Sequence, residues 1–309
     1  MIELQRKLIG DGVRNKAFAD ALKKAITPGV STVIDLGSGT GFLGFLASRL
    51  GAKSVTCIEV GDILKTSRTL AKRNRISNIT FIQRHSTQVK DLPKADILVS
   101  ETLGNYALEE NIIESVEDAK RFLKPSGVII PGRITQYACP IVSDRLQEDI
   151  DVWETAFDLD LAEAREMSLH NIYVKTVKKS DLLAEKDAIR PFDVVDFSKK
   201  NESVRTGEET WRVTVPVTVS GIALWWEALL LPGITLSTSP MERPTHWEQI
   251  YLPLLRPVTL KAGESLVWRL TSDSRWKVKI NLAWTVTHLD AAGKAVATQE
   301  LDMRKGYIS

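Results

Sequence analysis

Val33-Ile34-Asp35-Leu36-Gly37-Ser38-Gly39-Thr40-Gly41 passes from a mostly apolar run into a glycine turn. This is the signature of a buried strand feeding a helix, because glycine lets the backbone turn sharply and approach a ligand closely. The same alternation continues outward. Ser31–Leu36 is read as a strand, Gly41–Leu50 as a helix closed by Gly51, and Ser54–Val60 as a strand. A helix follows from about Asp62 to Arg75, with Ile63, Leu64, Leu70 and Ala71 on its buried side. Strands at Ile79–Ile82 and Ala95–Ser100, a helix at Asn111–Leu123 and a strand at Gly127–Ile130 complete the series. Alternating strands and helices predict an α/β unit with a mostly parallel sheet covered on both faces. Upstream, Ile2, Leu4, Leu8 and Ile9 suggest a short helix, and Val13, Phe18, Leu22 and Ile26 a second.

Beyond about Arg133 the pattern changes. Val152–Asn171 is helical and acidic, with Trp153, Phe157, Leu159 and Leu161 as candidate anchors. Then period-2 runs take over. Trp211, Val213, Val215, Val217 and Val219 alternate with polar or proline residues, as do Trp276, Val278, Ile280, Leu282, Trp284 and Val286 with mostly polar ones. Such runs predict strands with one buried face, hence an antiparallel sandwich or barrel, with Pro216 at an edge or bulge. The expected organisation is N-terminal helices over the cofactor site (1–30), a Rossmann-like unit (31–132) and a β-barrel-like substrate unit (133–309).

Composition removes several classes. Forty-one basic against thirty-nine acidic side chains leave a formal net charge of +2, so no broad basic field invites nucleic acid or an anionic membrane. Cys57 and Cys139 are the only cysteines and supply neither a disulfide framework nor a zinc site, so no metal is expected. No apolar run approaches the roughly 20 residues that span a bilayer, and no signal-peptide pattern opens the chain, so a cytoplasmic setting is expected.

Two cofactor classes use such a glycine turn. Gly39, Gly41 and Gly44 fit the dinucleotide spacing. Asp35, however, stands two residues before Gly37, where it would repel a pyrophosphate but accept hydrogen bonds from an ammonium group. Glu59 ends the next strand, where an acid grips ribose hydroxyls. S-adenosyl-L-methionine has a ribose, an amino-acid end and no phosphate, and matches this set better than a dinucleotide. Further acid sits in Ser100-Glu101-Thr102-Leu103-Gly104-Asn105-Tyr106-Ala107-Leu108-Glu109-Glu110, at the carboxyl end of an apolar strand. A second loop, Thr245-His246-Trp247, precedes a strand in the later half.

The order and spacing of Asp35–Gly41, Glu59, the Glu101/Glu110 loop and Thr245-His246-Trp247 resemble those of the protein arginine methyltransferases, from about residue 4 to the C-terminus. The resemblance implies that Glu101 and Glu110 hold an acceptor guanidinium, with Glu109 left as helix-start acid. It implies that Arg14, in Asp11-Gly12-Val13-Arg14, contacts the cofactor carboxylate and that Asp11 pairs with His246. Gly37, Gly39 and Gly41 would line the cofactor, and Trp247 the acceptor site. Gln88 stands near the family's acidic residue for the adenine amino group. The implied enzyme is an S-adenosylmethionine-dependent arginine N-methyltransferase, a head-to-tail homodimer whose helical arm is about residues 150–190. The acceptor is an arginine-containing peptide or protein, or alternatively free arginine or another small guanidino compound. An idle dimeric scaffold and a nicotinamide oxidoreductase fit less well.

The chain also departs from the family. Many relatives read Glu-Trp-Met-Gly-Tyr where this chain has Glu101-Thr102-Leu103-Gly104-Asn105. Two site-lining methionines of enzymes making asymmetric dimethylarginine fall on Leu8 and Ile112, and the family's helix with two tyrosines has no counterpart in the sequence.

Overall fold

The computed structural model describes residues 2–154 and 158–306. Helices α1 (Ile2–Gly10) and α2 (Gly12–Ala25) precede the first sheet. Asp11 separates them and caps α2 by accepting the Arg14 N–H at 2.8 Å. Such a cap satisfies one of the free donors at a helix start and stabilises it by about 1 kcal/mol. Next come β1 (Thr32–Leu36), α3 (Phe42–Arg49), β2 (Ser54–Glu59), α4 (Leu64–Arg73), β3 (Ile79–Gln83), β4 (Ala95–Ser100), α5 (Ile112–Ala119) and β5 (Leu123–Ile130). The five strands are parallel in the order β3-β2-β1-β4-β5. The order reverses at β1, so the carboxyl ends of β1, β2 and β4 open onto one crevice, the usual ligand position in such sheets.

The later half contains β6 (Arg133–Ile141), α6 (Glu148–Asp151), α7 (Ala162–Leu169), β7 (Tyr173–Lys175), β8 (Arg190–Asp196), β9 (Val204–Arg212) and β10 (Val217–Leu231). It continues through β11 (Ile234–Ser237), β12 (Gln249–Leu260), β13 (Ser265–Asp273), β14 (Asn281–Leu289), β15 (Ala295–Asp302) and α8 (Met303–Gly306). Two antiparallel sheets result, β7-β12-β10-β6-β8 with β11 alongside β10, and β15-β14-β13-β9. Trp226, Tyr251, Trp268 and Trp284 are fully buried. Among the described residues the two sheets do not close into one hydrogen-bonded barrel. Among the described residues of the arm region α-helix ends at Leu169, Tyr173–Lys175 pairs with β12, and only a single 3₁₀ turn, Lys179–Asp181, follows before β8. Val152, Trp153 and Leu159 lie exposed there, while Phe157 lies outside the described residues.

Both long period-2 runs are shorter as strands than their pattern suggests. The run from Trp211 breaks after Arg212 and restarts at Val217, with Val215 exposed between. Pro216, which has no N–H to give a ladder, stands at that break. The run from Trp276 begins as strand only at Asn281, because residues 275–279 form a turn with Lys279 at φ 67°. Among the described residues no helix is long and apolar enough to cross a membrane.

Candidate active site

Gly37, Gly39 and Gly41 adopt φ of 71°, 52° and 83°, a region that costs other residues strain. A Cβ at Gly37 would come within 2.6 Å of Thr102, and one at Gly39 within 2.7 Å of Gln5. The turn is therefore pressed against both the acidic loop and α1. The N–H of Thr40 donates to Gln5 Oε1 at 3.2 Å, so Gln5, which sequence reasoning passed over, belongs to the cavity wall. Glu59, at the end of β2, accepts the Gly39 N–H at 2.9 Å and the Gly61 N–H at 2.7 Å. Each carboxylate oxygen retains capacity for a second donor, such as a hydroxyl.

Asp35 ends β1's inward face, 1% exposed, and accepts the Gly44 N–H at 2.8 Å. Burial pushes its carboxyl up to about 7, with Glu59 and Glu101 adding to the rise and the Gly44 N–H and Arg14 opposing it. A carboxyl so placed is costly to ionise until a cation arrives, which suits an ammonium ligand.

Arg14 is buried, and its Nε donates to Glu101 Oε2 at 2.7 Å while Nη2 donates to the same oxygen. Glu101 thus already holds one guanidinium. Burial raises its carboxyl pKa, with Arg14 acting against that rise. Among the described residues its Oε1 meets only the Leu103 N–H, at 3.4 Å, and remains available to a second donor. Glu110 faces the same cavity and has no hydrogen-bond partner among the described residues. Desolvation first, then Glu101 and Glu109, push its carboxyl up to about 7, although its outer edge is exposed. Glu109 also lines the cavity but turns back on its own loop, accepting the Asn105 N–H at 2.9 Å.

The acidic loop is tied to the later half of the chain. Trp247 Nε1 donates to Leu103 O at 2.8 Å, Trp226 Nε1 to Gly104 O at 2.9 Å, and the Glu248 N–H to Asn105 Oδ1 at 3.0 Å. Trp247, 4% exposed and edge-on to Trp226, is thereby a tie for the loop as much as a cavity wall. Asp11 Oδ2 accepts the His246 backbone N–H and pairs with His246 Nδ1, both at 2.8 Å. Burial works to raise the Asp11 carboxyl, but the bonds from His246 and Arg14 prevail and hold it below the ordinary range. The ionised carboxylate accepts from Nδ1–H and leaves Nε2 as the free nitrogen.

Arg14, Asp35, Gly37, Gly39, Glu59, Glu101, Glu110, His246 and Trp247 all line one cavity of about 460 Å³. That volume lies within the roughly 300–1,000 Å³ of small-molecule sites. Gly41 and Asp11 lie outside the cavity lining, Asp11 reaching it only through His246, and so does Gln88. It ends a 3₁₀ turn, Ser86–Gln88, whose three-residue period turns Ser86 inward and leaves Gln88 exposed. The wall there is formed by Arg84, His85 and Ser86. Leu8 lines the cavity, whereas Ile112 is fully buried behind it. Trp276, expected in a strand, instead reaches the cavity from a turn. The polar Asp273-Ser274-Arg275, where β13 ends, was the available signal.

A family model described as "Arginine methyltransferase oligomerization subdomain" matches residues 133–288. An arginine N(omega)-methyltransferase of Streptomyces achromogenes is 30% identical over 283 residues, covering 88% of this chain and 77% of the relative. The chain belongs to the protein arginine methyltransferase family. As a member it is an S-adenosylmethionine-dependent enzyme that methylates arginine guanidinium groups. Protein arginine N-methyltransferase 1 of Schizosaccharomyces pombe is 27% identical, with 87% of this chain and 81% of that protein covered. Residues 18–162 also match the model described as "Ribosomal protein L11 methyltransferase (PrmA)". The fold is shared with the Trypanosoma brucei PRMT1 enzyme–prozyme heterotetrameric complex with AdoHcy, at TM-score 0.86 and 23% identity over 97% of this chain and 98% of that one.

Proposed function

We propose that Glu101 and Glu110 together grip the acceptor guanidinium, and that the acceptor is an arginine within a peptide or protein. The observation that carries the two-carboxylate reading is the pair facing one cavity with the glycine turn, Glu110 having no partner of its own among the described residues. A guanidinium is always protonated near neutral pH and is a poor nucleophile. Bonds from both carboxylates hold its planar fork and draw positive charge away from the reacting nitrogen. Each such bond is worth about 1.5–3 kcal/mol, and alignment adds several more. S-adenosylmethionine, when bound, supplies the electrophilic methyl group. Arg14 and Asp35 hold its carboxylate and ammonium ends, and Glu59 its ribose. Arg14 reaches that role from its bond to Glu101, so one side chain spans the cofactor and acceptor halves. The reaction's proton leaves through Glu110, whose raised pKa suits an acceptor near neutrality, or through the free Nε2 of His246.

A peptide acceptor is supported by an open cleft of about 1,050 Å³ between α1, α2 and the loop before His246. It shares Lys7 and His246 with the cofactor cavity, leaving room for residues flanking the target arginine. Free arginine is the second reading, favoured by the name of the Streptomyces relative, which specifies arginine alone. Incubation with labelled S-adenosylmethionine and either free arginine or an arginine-rich peptide, read by mass, decides between them. Transfer to the peptide is expected; transfer to free arginine alone would overturn the peptide reading. In the same assay Glu110→Gln should lose about ten- to a hundredfold in turnover, the worth of one charged bond. Its affinity for S-adenosylhomocysteine should be retained.

The pH dependence follows from the same group. Glu110 must be ionised to hold a cation, and its pKa lies at about 7. Acceptor KM should rise about fivefold as pH falls from 7 to 6, because protonation then removes the binding form. Glu110→Gln should flatten that profile, and a flat wild-type profile would argue against Glu110 as the titrating clamp.

The domain division at residues 31–132 and 133–309 and a head-to-tail homodimer are part of this proposal. The oligomerization-subdomain match and the exposed Val152, Trp153 and Leu159 support assembly through the arm region. A cytoplasmic setting is supported by two cysteines that are buried and free.

A further inference from the structure

The turn between β13 and β14 is unusually well fastened for a loop. Ser274 is fully buried, and its Oγ donates to Glu114 Oε1 of α5 at 2.7 Å. Its N–H donates to Ser203 O at 3.1 Å, and the Nδ2 of Asn111 donates to Ser274 O and, at 3.4 Å, to Lys279 O. Asn111 itself sits at φ 57°, directly after Glu110. Strain of this kind persists only where the surroundings enforce it. Between these fixed ends the loop projects Trp276, 41% exposed, into the cofactor cavity and edge-on to His85 at 4.5 Å between ring centroids. His85 is held in turn by Thr87, with Nδ1 and Oγ1 at 2.8 Å. A half-exposed tryptophan on a braced loop is a costly arrangement unless a ligand covers it.

The sheet order says which part of the ligand that is. Asp35 and Glu101 stand at β1 and β4, Glu59 at the end of β2, and His85 just past β3, the next strand outward. A nucleoside whose ribose is held at Glu59 extends its base toward His85 and Ser86. We infer that Trp276 is a cofactor-positioning residue, walling the purine end of the cavity from the later half of the chain. The inference rests on the cavity holding S-adenosylmethionine, and it makes retention of the nucleoside depend on a loop outside the α/β unit.

Calorimetry with S-adenosylhomocysteine on wild type, Trp276→Leu and Trp276→Phe tests this. Leucine keeps apolar bulk at a half-exposed position but offers no ring face. Its Kd should rise about tenfold, in line with the stacking of a base on an aromatic ring. Phenylalanine should recover most of the loss, and adenosine should weaken by the same factor as S-adenosylhomocysteine in the leucine variant. Acceptor KM at saturating cofactor should stay within about twofold, a readout that general loosening of the site would move. Wild-type affinity in Trp276→Leu would overturn the inference while leaving the cofactor assignment standing. So would a loss confined to acceptor KM. Absence of S-adenosylhomocysteine binding in the wild type would overturn both.

Discussion

Glu101→Gln should leave a protein with methyl transfer reduced by about a thousandfold or more and with measurably lower stability. Two contributions combine. The carboxylate's bond to the acceptor and the alignment it enforces are together worth at least about 4 kcal/mol, or three orders of magnitude in rate. The substitution also leaves the buried Arg14 guanidinium, bonded twice to Glu101 Oε2, without its counter-charge. Removing one partner of a buried pair costs roughly 3–5 kcal/mol, and the low end applies because the amide oxygen still accepts. Denaturant unfolding beside the peptide assay checks both effects. Activity within tenfold of wild type would end the two-carboxylate reading, whatever the stability.

Asp35→Asn should move stability and function in opposite directions. The folded-state pKa is raised from 3.8 to about 7. The native protein therefore holds a proton that the unfolded chain has released between those values. The associated stability is fully present below about pH 4 and is lost as pH rises through 7. By linkage the loss approaches about 4 kcal/mol. Asparagine carries no charge and can still accept the Gly44 N–H, so the variant should match wild type near pH 4 and exceed it by a few kcal/mol at pH 8. Its affinity for S-adenosylhomocysteine should fall about tenfold or more, because the ammonium group loses an ionic acceptor. Unfolding curves at the two pH values and calorimetry at pH 8 give the answer. Equal stability at pH 8 would show that Asp35 ionises without penalty.

What could be read from residues alone was what local backbone physics demands. Gly37, Gly39 and Gly41 need positive φ, so the strand–turn–helix passage around them was legible, and with it the acids at the ends of β1, β2 and β4. Periodicity was a poorer guide to where strands stop. Alternation continues across Pro216 and across Lys279, yet a missing donor and a left-handed residue break the ladder there. Trp276 was lost to the same error. Gln88 was misplaced because spacing does not say which way a 3₁₀ turn faces. The pair of hydrogen bonds from Arg14 to Glu101 joins residues far apart in the chain, and nothing local to either announces it.

The ties from Trp226, Trp247 and Glu248 to Leu103, Gly104 and Asn105 have a consequence for recombination. The acid-bearing loop is encoded in one half of the gene product, but its shape is stored in the other. A chimera that joined this α/β half to a relative's β half would inherit both glutamates while forfeiting the template that sets them. Such hybrids should fail at transfer even where the donor half supplies a tryptophan in place of Trp276 and nucleoside binding is kept. Sequence drift in Thr102–Asn105 is therefore expected to track drift around Trp226 and residues 245–248, the two segments evolving as one inherited unit.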